Sequence, residues 1–185
     1  MTGKQLAEKE NSHKLPVSHH IELIFGAWKD GFAPDEIKNI MAETLNKWTV
    51  VHQKYLDLNG YLITDRSLFL IVAVHQVSFD ELLFSFYAGV SKAIKKQHHM
   101  VRAIYNEEEE GDNSKRLYLQ PFEKRVFYDD HLIALLTGEK VSSVYYDPSL
   151  ERLKQNIHHY TYCSAIDYAG GVGPVRVKRI HKINL

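Results

Sequence analysis

Three features of this 185-residue chain could do chemistry: a tyrosine hydroxyl on a helix, a pair of side chains two apart on a strand, and lysines with no acid among them. The tyrosine is Tyr87, in the run SFDELLFSFYAGVSKAIKKQ. A helical hydroxyl becomes a nucleophile when a base or a cation activates it; otherwise such a tyrosine packs, with its oxygen at the rim. The strand pair is Ser67 and Phe69 in YLITDRSLFLIV. Alternate strand residues share a face, so two imidazoles at such positions would reach one metal ion. Serine binds a hard cation weakly, and phenylalanine has no lone pair to give.

The lysines lie in SKAIKKQHHMVR, as Lys92, Lys95 and Lys96 with Arg102; a second basic group, Arg176, Lys178, Arg179 and Lys182, lies in VRVKRIHKI. Either could touch phosphate. A solvated helix end and a solubilising edge strand are the structural alternatives. The formal net charge is zero, so the whole-molecule field gives no push toward nucleic acid. Four successive glutamates in NEEEEGD (106–112) repel one another and predict a solvated loop.

Other candidates are weaker. Eleven histidines include the adjacent pairs His19 and His20, His98 and His99, and His158 and His159. Neighbours diverge on a helix or a strand and rarely chelate one ion. His75 shares a strand face with Phe69, Ile71 and Ala73 but is a single ligand, so no metal site is expected. Cys163 sits in HYTYCSA with no activating base beside it, which predicts a buried, inert thiol. AGGVGP (169–174) lacks the lysine and hydroxyl of a phosphate-cradling loop and reads as a turn.

Elements must position these residues. Hydrophobic content of 44% with 25% charged residues fits one soluble globular domain, expected in the cytoplasm, and no apolar run is long enough to span a bilayer. Residues 1–16 read as a flexible tail and 17–185 as a single domain. HIELIFGAW predicts a first strand. Pro34, Asp35 and Glu36 open a helix whose apolar face is Ile37, Ile40, Met41, Leu45 and Trp48. KYLDLNGYLIT and SLFLIVAVH, separated by Asp65 and Arg66, predict a hairpin. Ser78 and Glu81 have capping-box spacing ahead of a second helix lined by Leu83, Phe86, Val90 and Ile94. HHMVRAIY and KRLYLQPFEKRVF read as extended, DDHLIALLTGEK as a short helix with Gly138 just past its end, and VRVKRIHKI as a last strand. The order predicts an α+β, ferredoxin-like split βαβ core over 17–105 with an extension over 106–185. Both main helices then lie on one face of an antiparallel sheet, leaving the other face free for a site.

From His20 to Lys96 the sequence resembles the single-tyrosine HUH transposases, including the REP-associated tyrosine transposases and insertion-sequence enzymes. The resemblance rests on HIELIFGAW running into KDGFAPDEIKNIMAETLNKW, on GYLIT and LFLIV, on the helix from Ser78, and on the closing YTYCSAIDYAGGVGPVRVKRI. It implies a tyrosine attacking a DNA phosphodiester with Mg or Mn held by a His-hydrophobic-His pair. Ser67 and Phe69 stand where those histidines belong, and the alignment places Gly89 nearer the nucleophile than Tyr87. The implied protein is a catalytically silent, transposase-like binder of single-stranded or hairpin DNA, using Lys92, Lys95, Lys96, Arg102, Arg176 and Lys178. The alternative is a protein-interaction module, most simply a homodimer. A working nuclease using Tyr87 is the third reading.

Overall fold

The structure, a computed structural model, describes residues 15–105 and 121–180. Most of the expected tail, the NEEEEGD loop and the first part of KRLYLQPFEKRVF lie outside the described residues. The elements are β1 (Val17–Phe25), a 3-10 turn (Ala27–Gly31), α1 (Pro34–Val51), β2 (Leu56–Ile63), β3 (Ser67–Val74), α2 (Phe79–Tyr105), β4 (Phe122–Val126), α3 (Asp130–Leu136), α4 (Pro148–His158) and α5 (Ala165–Tyr168). The sheet is antiparallel with order β2-β3-β1-β4. This α+β arrangement is the ferredoxin-like one.

Local chemistry accounts for the elements. In α1, Pro34 occupies the first turn and the Glu36 carboxylate accepts the Ala33 N–H at 2.9 Å, satisfying a donor that the helix itself leaves open. Asp65 and Arg66 form a two-residue turn between β2 and β3, closed by Thr64 N–H donating to the Ser67 carbonyl at 2.9 Å. Leu56 and Leu58 face the helices before a bulge in β2, and Tyr61 and Ile63 face them after it. The extra residue, Asn59, keeps both halves of the strand facing the same layer.

Between that sheet face and α1 and α2 lies the main core, with Leu23, Met41, Leu45, Leu68, Leu70, Phe86 and Ile94 fully buried. The opposite face is not free, contrary to expectation. Leu62 and Ile71 are buried there against Leu132, Leu136, Ile157 and Cys163, so α3, α4 and the 160–166 stretch form a third layer. Gly60 permits this, since a Cβ there would come within 3.0 Å of Ile71 and 3.2 Å of the Leu136 carbonyl.

Three further expectations are corrected, and one helix was missed. The segment 98–105 continues α2 instead of forming a strand, so the fourth strand is Phe122–Val126. Residues 27–31 leave β1 as a 3-10 turn. The terminal run 174–180 forms no regular strand; Lys178 N–H donates to the Leu58 carbonyl at 2.7 Å, and the remaining bonds run through side chains such as Asn46 and Asn59. Helix α4 was not anticipated, although Asp147 accepts from Ser149 N–H at 2.8 Å ahead of Pro148, a start signal present in the sequence.

Candidate nucleic-acid interface and the altered strand slot

Ser67 and Phe69 share the sheet face that looks away from α1 and α2. Ser67 is 6% exposed, and its hydroxyl lies 3.3 Å from the Thr64 hydroxyl. Its N–H donates to the same Thr64 oxygen at 2.9 Å, so this residue is committed to the hairpin turn. Phe69 packs edge-on against Phe127 in the third layer. A divalent ion does not fit here, because an aromatic ring fills the volume and the one hydroxyl already serves the turn.

Tyr87 lies in the other layer. Its ring packs on Phe122 at 5.1 Å, against the core beneath α2. Burial, reinforced by the nearby Asp80 carboxylate, pushes its hydroxyl up to about 12. An activated nucleophile needs the opposite shift. Gly89 faces α1, where a Cβ would meet the Thr44 methyl at 3.3 Å.

The expected basic set divides. Lys92 and Lys96, one helical turn apart on α2, line a cleft of about 790 Å³ between α1 and α2. Neither makes an ion pair among the described residues. Lys95 is exposed on the next position of the same helix. The Arg102 side chain lies outside the described residues. Arg176 donates its N–H to Asn46 Oδ1 at 3.0 Å, and Lys178 is spent on Asp57 at 2.8 Å; neither lines the cleft. Sequence reading missed Lys47, which does line it. Its signal was the helical spacing of Ile40, Glu43 and Lys47 on α1.

The far end of the cleft is a closed hydrogen-bond knot. Ser85 Oγ donates to the Leu82 carbonyl at 2.7 Å and accepts from Trp48 Nε1–H at 3.1 Å. His52 Nε2 sits 2.9 Å from the same oxygen. With the hydroxyl proton and one lone pair taken, His52 fits as an Nε2–H donor. Ser85 is therefore a clip between the helices and not a poised nucleophile. A second histidine, His75, is 2.9 Å from Asp57 Oδ2, which Lys178 also reaches; burial opposes ionisation of Asp57, and these two donors more than offset it, holding the carboxyl below its usual range.

Cys163 is buried, its thiol pushed up by burial and donating to the Tyr160 carbonyl at 3.1 Å, as expected of an inert thiol. AGGVGP (169–174) contains Gly170, at a φ of 94°, and Gly173, whose N–H donates to Asp167. No described helix is long and apolar enough to cross a membrane. No known protein family, curated protein or solved structure matches the chain.

Proposed function

We propose that this chain is a transposase-like nucleic-acid-binding protein of the cytoplasm that lacks strand-cleaving chemistry, in line with its resemblance to the single-tyrosine HUH proteins. One observation carries the binding: Lys92 and Lys96, which make no ion pair among the described residues, stand on one wall of the cleft between α1 and α2. Cations without carboxylate partners lose nothing by meeting phosphate and release counterions from it. The loss of cleavage rests on the opposite placement of Tyr87 and the Ser67–Phe69 pair, with the sheet between them. The ligand is single-stranded or hairpin DNA. Titrating a labelled single strand at two salt concentrations tests this reading. Affinity should fall steeply with salt and collapse in Lys92→Glu/Lys96→Glu; salt-independent binding, or none, would refute it.

The second reading is a protein-interaction module, and β4 favours it. It ends the described sheet, and an edge strand has backbone groups to which a second copy can add. Light scattering across a concentration series separates the two readings, since a β4-paired homodimer would keep its mass when Lys92 and Lys96 are reversed.

A further inference from the structure

The cleft between α1 and α2 has two unlike walls. The α2 wall carries Lys92 and Lys96, whereas the α1 wall carries Glu36 and Glu43 with Lys47 paired to the latter. Ile40 and Ala93 give it an apolar floor, with Trp48 and Phe86 buried beneath them. Glu36 keeps one oxygen on the Ala33 N–H, and Glu43 faces Lys47 at 3.5 Å, so each retains a second oxygen that can accept. The helices run antiparallel, because His52 at the end of α1 meets Ser85 near the start of α2.

We propose, building on the nucleic-acid reading above, that this cleft takes unpaired nucleobases edge-in, with their phosphates on the α2 rim. Charge sorts the orientation. Phosphates are repelled by the α1 wall, where Lys47 offsets Glu43 but Glu36 leaves a net negative charge, and are drawn to Lys92 and Lys96, whose separation of roughly 5–6 Å on the helix surface lets them hold neighbouring phosphates. A base entering by its edge packs its flat apolar faces against Ile40 and Ala93. Its amino edge then points at the α1 carboxylates, which accept from exocyclic amino groups as they do from cytosine N4. The preference that follows is for bases with an exocyclic amino group, so cytosine binds better than thymine. A paired duplex cannot present its bases this way and is excluded from the cleft. An acidic amphipathic peptide could meet the two lysines, but it offers nothing to the opposing carboxylates.

Fluorescence anisotropy with labelled oligo-deoxycytidine, oligo-deoxythymidine and a blunt duplex tests this. The wild-type chain should prefer oligo-deoxycytidine, and Ala93→Trp, which fills the cleft without changing its charge, should weaken that binding by about tenfold while leaving duplex binding alone. Ala93→Glu, which places a carboxylate in the floor, gives the same loss if the larger residue disturbs folding. If no oligonucleotide binds the wild type, the nucleic-acid reading itself fails. If Lys92→Glu/Lys96→Glu abolishes binding while both Ala93 variants bind normally, phosphate contact stands and insertion of bases is overturned. Equal binding of cytosine and thymine strands, or full displacement by an acidic peptide, also overturns it.

Discussion

The rings of Phe69 and Phe127 meet edge to face, their centroids 5.3 Å apart and their planes at 88°. This contact makes Phe69 part of a packed third layer. Phe69→Ala should lower unfolding free energy by about 2 kcal/mol, less than for a fully buried phenylalanine because the ring is only half-buried. Urea denaturation reads this directly. A near-zero change would mean that the layer does not depend on the ring.

Installing imidazoles at Ser67 and Phe69 should not produce cleavage. In Ser67→His/Phe69→His the new donors would stand on the face opposite Tyr87, whose ring remains against Phe122. Single-stranded DNA with manganese should therefore yield no covalent protein adduct, with or without Tyr87→Phe. A tyrosyl adduct on denaturing gels that disappears in Tyr87→Phe would contradict this placement.

Ser164 joins three parts of the fold. Its fully buried hydroxyl donates to the Leu136 carbonyl at 2.6 Å and accepts the Tyr61 N–H at 3.0 Å. Ser164→Ala strands both backbone groups and should cost about 2–3 kcal/mol, seen as a lower urea midpoint with the slope unchanged.

Acid should destabilise the fold below neutrality. Burial lowers the pKa of both His19 and His20, with Asp80 and Asp130 respectively opposing the shift only in part. Each folded value lies below the unfolded 6.5, so the unfolded chain takes up the proton first. Stability from these residues is complete above pH 6.5 and declines as pH falls from there through the lowered folded values. Asp57 also has a lowered value, and its share is lost on further acidification below 3.8. Melting temperature against pH should show the upper decline, and His20→Gln should flatten it.

Cys163 should resist thiol reagents in the native state. It is fully buried with a raised pKa, so its reaction waits on opening of the chain. Labelling as fast as a free thiol without denaturant would show that the third layer opens readily.

Much of this protein could be read along the chain. Pro34 with Asp35 and Glu36 marks the start of α1, Asp65 and Arg66 mark the hairpin turn, and Gly138 marks the end of α3, where its φ is 72°. Such signals are local, set by capping, turn chemistry and periodicity. That Ser67 and Phe69, two apart on β3, offer no pair of imidazoles was likewise visible as residue identity.

Tertiary structure decided the remainder. Val101, Ile104 and Tyr105 have strand-favouring side chains, yet the segment is helical, because extending α2 adds hydrogen bonds without a new nucleation step. No local pattern says that Leu62 and Ile71 will be covered by residues from 132 to 163, since that burial depends on where a distant part of the chain folds back. The same holds for the separation of Tyr87 from Phe69 and for the convergence of Lys47, Lys92 and Lys96 on one cleft. Sequence spacing assigns a residue to a face of its own element; which faces meet is settled only when the helices and sheet pack.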